Sequence, residues 1–156
     1  MTVGAVVLMA LGNNPPSAGP FCLSTYYRLD TIDHALRSEA RQSAERWDRI
    51  KIFFSGTQGG NIGRLATASG LRSAADINCH FVLCNGVGAS DGEIQTTENW
   101  QAQRGAERTI RICLIGNGVS ALPTDYQLKR LEALLEALCR RFNISPDDVF
   151  LPRDCR

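Results

Sequence analysis

Histidine and lysine are scarce in this chain: His34 and His80 are its only imidazoles, and Lys51 and Lys129 its only lysines, among 156 residues. The two histidines sit on segments that need not meet, which argues against a metal centre assembled around them. Basic charge is carried almost wholly by arginine, no basic run exceeds Arg140-Arg141, and the formal net charge is +1. The electrostatic footprint of a nucleic-acid-binding protein is therefore missing. None of the six cysteines forms a Cys-x-x-Cys pair, so spacing supplies no zinc-finger grammar. Internal repeats and low-complexity segments are also absent. The longest apolar stretch, Val3 to Leu11, lacks a basic leader and runs into Asn13-Asn14-Pro15-Pro16. It is too short to span a bilayer. Whether it is a signal, an anchor remnant or a packed segment stays open, and residues 1–29 are set apart from a domain over 30–156.

What is present suits one domain with a real core, since a chain of this size buries roughly two-thirds of the surface its unfolded form exposes. Residues 30–46 read as a mostly polar helix with Ile32, Leu36 and Ala40 on one side and Asp30 or Thr31 as N-cap. Ile50 to Phe54 reads as a strand closed by Ser55-Gly56-Thr57, and Asn61 as the cap of a short helix reaching about Ser69. A second strand over His80 to Cys84 returns as a hairpin over Glu93 to Thr96, with Asn85-Gly86 and Asp91-Gly92 at the turns. Thr109 to Ile115 is a third strand. The strongest element is the helix over 124–142, where Leu128, Leu131, Leu134, Leu135, Leu138, Cys139 and Phe142 recur at helical spacing behind a Thr124/Gln127 capping box. Val149-Phe150-Leu151 suggests a last short strand. Strands alternating with helices imply an α/β fold, a mixed β-sheet flanked by helices.

Cys113, inside an apolar strand, and Cys139, on the inner side of a helix, read as small buried hydrophobes; Cys22, Cys79, Cys84 and Cys155 are left open. Cys79 and His80 are neighbours on a strand and point to opposite faces, so they cannot serve one another as nucleophile and base. The stretch Asn85-Gly86-Val87-Gly88 lies between hairpin strands with no helix N-terminus after it, and reads as a turn rather than a phosphate loop.

Three blocks carry a resemblance: Trp47-Asp48-Arg49-Ile50-Lys51-Ile52-Phe53-Phe54-Ser55-Gly56-Thr57, Cys79-His80-Phe81-Val82-Leu83-Cys84-Asn85-Gly86, and Ile110-Arg111-Ile112-Cys113-Leu114-Ile115-Gly116-Asn117. Over about residues 47–154 the chain resembles the zinc-dependent N-acetylmuramoyl-L-alanine amidase and peptidoglycan-recognition superfamily. The resemblance implies that fold, a groove for muramyl peptides and a weak preference for the cell envelope. It also implies a site, which the chain departs from at four positions. Phe53 stands where active relatives place their first zinc histidine, and Cys79 where they place a tyrosine that polarises the scissile amide. After Trp100-Gln101-Ala102-Gln103, Glu107 replaces a histidine in a shortened loop. Pro152, in Leu151-Pro152-Arg153-Asp154, replaces the second zinc histidine. The family block Asp-Cys-Pro-Gly, which holds a third ligand, finds a counterpart only in Asp154-Cys155, at the expense of the Arg153-Asp154 match.

A catalytic zinc needs three protein ligands and an open position for water. With Phe53 and Pro152 at the ligand positions, no metal or other cofactor is expected. The reading is a pseudoenzyme: a binding module that takes cell-wall fragments through Ser55, Thr57, His80, Asn85, Trp100 and Arg104, or a structural subunit that contacts a protein partner. The alternative is a zinc amidase with an atypical site.

Overall fold

In the computed structural model, which describes residues 31–43 and 45–152, the sheet has five strands in the order β3-β2-β4-β1-β5. Chain order gives α1 (Ile32–Ala35), β1 (Arg49–Phe54), α2 (Ile62–Ala68), β2 (Phe81–Leu83), β3 (Ile94–Thr96), α3 (Glu98–Gln101), β4 (Thr109–Leu114), α4 (Asp125–Phe142) and β5 (Val149–Phe150). Single 3₁₀ turns occupy Ala74–Asp76 and Pro146–Asp148. β1 runs parallel to β4 and β5, β2 runs parallel to β4, and β3 pairs antiparallel with β2. The mixed α/β architecture read from the sequence is the one observed.

Register follows from burial on both faces. Ile50 and Ile52 of β1, Phe81 and Leu83 of β2, and Ile110, Ile112 and Leu114 of β4 form one layer, which α4 covers with Leu131, Leu134, Leu135, Leu138, Cys139 and Phe142. The opposite face gathers Cys79, Val82, Cys84, Cys113 and Ile115 under Leu65 and Ala66 of α2 and Ile77. Central parallel strands covered on both sides are nearly continuous apolar runs, as β4 is. Arg111 is its one charged residue, and it lies on the α2 side, in alternation with Cys113.

Helix α4 begins with the expected box: Thr124 Oγ1 accepts from Gln127 N–H at 2.9 Å, and Gln127 Oε1 accepts from Thr124 N–H at 3.3 Å. The same Gln127 is fully buried, and its amide nitrogen donates to the carbonyls of Leu83 at 2.8 Å and Ile115 at 3.1 Å. One side chain thus caps the helix and ties it to the ends of two strands. At the other end Asn143 takes the left-handed conformation, φ 53°, and returns its N–H to Cys139 O.

The expected helix over 30–46 is corrected. Its helical part is α1 alone, capped by Thr31. Past Leu36, Ser38 Oγ donates to Ala40 O, and Gln42 Nε2 donates to Leu36 O, so polar side chains take over backbone partners that a helix would need. Ala40 N–H and Glu39 N–H then dock on Gln101 of α3. Helix α3 itself had no counterpart in the sequence reading. The apolar stretch Val3 to Leu11, Cys22, Arg153, Asp154 and Cys155 lie outside the described residues. Among the described residues no helix is long and apolar enough to cross a membrane.

Candidate functional site

A pocket of about 340 Å³ opens on the α2 face of the sheet. Its floor comes from three strands: Phe53 and the following Ser55 from β1, Cys79 ahead of β2, and Arg111 and Cys113 from β4. Its wall comes from Leu65 and Ser69 at α2, Leu71, and the segment Asp76-Ile77-Asn78. The benzyl group of Phe53 is half-buried and packs on the cluster that contains Leu65, Ile77, Cys79 and Cys113. Parallel register sets Phe53 beside Cys113 and Lys51 beside Arg111 on this face.

The thiols here are held as thiols. Burial pushes the Cys79 sulfhydryl up to about 12, against a smaller opposing pull from the Arg111 guanidinium, and burial likewise pushes Cys84 to about 12. Cys113 is raised further by burial and by the other two sulfurs. Nucleophilic attack needs the thiolate, so none of the three is primed for it. Among the described residues no group of three histidine, cysteine, aspartate or glutamate side chains is placed to hold a metal ion. The described residues therefore do not assemble the donor set of a catalytic zinc.

Of the six side chains assigned to ligand binding, only Ser55 reaches this pocket. Ser55 Oγ accepts from Gly116 N–H at 3.1 Å and from Thr57 N–H at 3.2 Å, and it shares a 2.7 Å hydrogen bond with Thr57 Oγ1. Ser55 and Thr57 thereby clasp the ends of β1 and β4. Asn85 spends its amide on the turn, donating to Gln58 O at 2.9 Å and accepting from Val87 N–H at 3.3 Å.

Trp100 and His80, also assigned to ligand binding, are buried: Trp100 is 0% exposed and His80 2%. Trp100 packs on Phe81 at 4.5 Å and edge-on against Phe142 at 6.1 Å, and its indole donates to Arg37 O at 3.1 Å. It is a core residue on the α4 side. His80 Nδ1 accepts from Arg111 N–H at 2.8 Å, which leaves the proton on Nε2, 2.6 Å from the Arg104 carbonyl. Burial lowers its pKa, with the Arg111 and Arg46 charges adding to that and the hydrogen bonds opposing it. His80 is thus a neutral imidazole with both nitrogens used, edge-on to Trp47 at 4.9 Å. Cys79 faces the pocket while His80 faces Trp47, as their expected separation requires. Arg104 is exposed, and its carbonyl rather than its guanidinium makes the contact.

The four positions that the resemblance marks as departures scatter as well. Phe53 and Cys79 line the pocket, Glu107 is exposed in the loop before β4, and Pro152 is half-buried past β5. That loop is short and bent: Gln103, Glu107 and Arg108 all have positive φ, at 51°, 58° and 53°. Left-handed backbone at non-glycine residues costs energy and persists only where neighbours enforce it. The enforcement comes from Arg46, whose guanidinium donates to the carbonyls of Gln103 and Gly105, and from Arg108, which donates to Glu45 O. Gly105 has to be glycine, because a Cβ would stand 2.8 Å from the Trp47 ring and 2.9 Å from His80 Nε2.

Sequence reasoning missed Leu65, Leu71, Asp76, Ile77 and Arg111 as pocket residues. A signal existed for Arg111, since one charge inside an otherwise apolar strand must have a reason to face where it does. None existed for Asp76 and Ile77, which arrive from a connecting turn.

Comparison with known proteins agrees with the architecture. The family model described as N-acetylmuramoyl-L-alanine amidase matches residues 33–154, while no curated protein and no solved structure gives a significant match. The matched span includes all five strands, both helical layers and the pocket. The chain belongs to the N-acetylmuramoyl-L-alanine amidase family.

Proposed function

We propose that this chain is a catalytically silent amidase-family domain that binds peptidoglycan fragments without cutting them. The observation that supports the reading is the composition of the pocket floor: a benzyl group and protonated thiols occupy the ground where the resemblance calls for an imidazole, a phenol and a cation. Zinc-assisted amide hydrolysis needs the metal to lower the pKa of a bound water to about 7 and to polarise the carbonyl. Phe53 offers no lone pair, and Cys79 would have to lose a proton held at about 12. What survives is a concavity of a size suited to a small ligand.

The test pairs binding with turnover. Soluble muramyl peptides titrated into the full chain should bind saturably, with the peptide amide intact after prolonged incubation. Cleavage that stops on addition of chelator would instead establish the alternative, an amidase with an atypical zinc site.

A second reading, a structural subunit in a larger assembly, is favoured by Val119 and Leu122. These are 81% and 64% exposed on the loop between β4 and α4. Copurification from the source under mild conditions tests it, and a chain that remains monomeric and alone would remove it.

A further inference from the structure

One end of the domain is almost free of charge. The loops that follow the parallel strands β1, β2 and β4, at their C-terminal ends, are residues 55–61, 85–92 and 116–124. Charged side chains make up 21% of the chain, yet these loops hold only Asp91, whose carboxylate accepts from Thr124 Oγ1 at 2.6 Å. Hydrogen bonds tie the three into one surface. Gly60 N–H donates to Val87 O at 2.6 Å and Asn85 Nδ2 to Gln58 O at 2.9 Å, joining the first loop to the second. Gly56 N–H donates to Gly116 O at 2.9 Å, joining the first to the third, and the contact of Asp91 with Thr124 closes the ring. Of these residues only Ser55 also lines the pocket.

The large apolar side chains exposed among the described residues are Val87, Val119, Leu122 and Phe150, and all but Phe150 stand at this end. Val119 is held out by a fixed turn, in which Asn117 Oδ1 accepts from the N–H groups of Val119, Ser120 and Ala121 at 3.0, 2.9 and 2.9 Å. Covering it therefore costs little ordering. Depletion of charge around exposed aliphatic groups is the composition of an interface centre. The same composition narrows the occupant. The loops contain no lysine or arginine to attract anionic lipid headgroups, and they lack the charge that selects a different protein by complementary potential. A second copy of the chain needs neither, because in a twofold contact the surface meets itself, and an uncharged surface does so without repulsion. The loops supply about two dozen residues, the order of one side of a standard interface, and all but Gly60, Gly92 and Gly116 are at least partly exposed. We propose that two copies of this chain associate end to end through the loops after β1, β2 and β4, with Val87, Val119 and Leu122 at the centre of the contact. This names the partner in the structural-subunit reading and rests on that reading.

The test is sedimentation equilibrium of the full chain over a range of concentrations, with Val119→Asp, Leu122→Asp and Phe150→Asp variants whose folding is checked by circular dichroism. The parent should form a reversible dimer that added salt does not weaken. Val119→Asp and Leu122→Asp, each present twice in a twofold contact, should weaken it by at least about tenfold. Phe150→Asp, on the edge strand β5 away from these loops, should leave it unchanged. A monomeric parent, a dimer that salt dissolves, a dimer that either loop variant leaves intact, or dispersal by a folded Phe150→Asp chain would each overturn the proposal, as would a monomer that sediments with phosphatidylcholine vesicles. Failure of the wider reading looks different: a monomer that copurifies with another protein refutes this inference alone, whereas a monomer that copurifies with nothing removes the structural-subunit reading as well.

Discussion

Trp47 donates its indole N–H to Gln103 Oε1 at 2.9 Å, joining the segment that leads into β1 to the bend before β4 inside the core. The amide end of Gln103 in turn donates to Trp100 O at 2.9 Å, and both Trp47 and Gln103 are buried. Gln103 is therefore the clasp that holds a left-handed loop against two tryptophans. Replacing it with Met keeps the volume and removes both hydrogen bonds. Gln103→Met is expected to cost about 1–3 kcal/mol, the penalty for leaving a buried donor and acceptor without partners. Urea unfolding with an unchanged slope is the measurement, and a shift within error would show that the clasp is dispensable.

His80 should make stability depend on pH. Its folded-state pKa lies below the ordinary value of 6.5, so the unfolded chain binds the proton more readily. The sign follows: the neutral imidazole's contribution is complete above 6.5 and is lost as the pH falls below it. His80→Gln offers an acceptor to Arg111 N–H and a donor to Arg104 O without titrating. Between about pH 7 and 5 the unfolding free energy of the parent should fall more steeply than that of His80→Gln, and parallel curves would contradict the assignment.

Gln127 should matter more than its cap partner. Thr124→Ala removes one capping hydrogen bond and is expected to cost about 0.5–2 kcal/mol. Gln127→Leu also strands the buried carbonyls of Leu83 and Ile115, adding about 1–3 kcal/mol for that loss. Chemical denaturation of both variants gives the order, and a larger loss in Thr124→Ala would reverse the account of which contact ties α4 to the sheet.

Thiol reactivity should be low throughout the described core. Cys79, Cys84, Cys113 and Cys139 are buried and free, and burial pushes Cys139 up to about 11. Iodoacetamide near neutral pH is expected to leave these four unmodified in the native chain and to label them after denaturation, as read by peptide mass mapping. Rapid native labelling of Cys79 would show a thiolate in the pocket and remove one support for catalytic silence.

The sequence revealed those elements whose causes are local. The Thr124/Gln127 box, the Asn61 cap and the alternation of β1 each need only a few adjacent residues to be read, and each lies where expected within a residue or two. The helix over 30–46 failed because Ser38 and Gln42 compete for its backbone, a contest that periodicity does not record. The site was half legible. Phe53 and Cys79, which the neighbouring motifs single out, both line the pocket. The burial of Trp100 and His80 was not legible, because an aromatic and an imidazole serve equally well in a groove or a core and local sequence does not state which layer covers them. The pairing of Lys51 with Arg111 depends on strand order, which no local pattern states.

Zinc stoichiometry tests the central claim most directly. The full chain, stripped with chelator and dialysed against micromolar zinc, should retain far less than one ion, because Phe53 supplies no ligand and the described residues gather no group of three donors. One tightly held zinc per chain, together with chelator-sensitive cleavage of a muramyl peptide, would contradict the account.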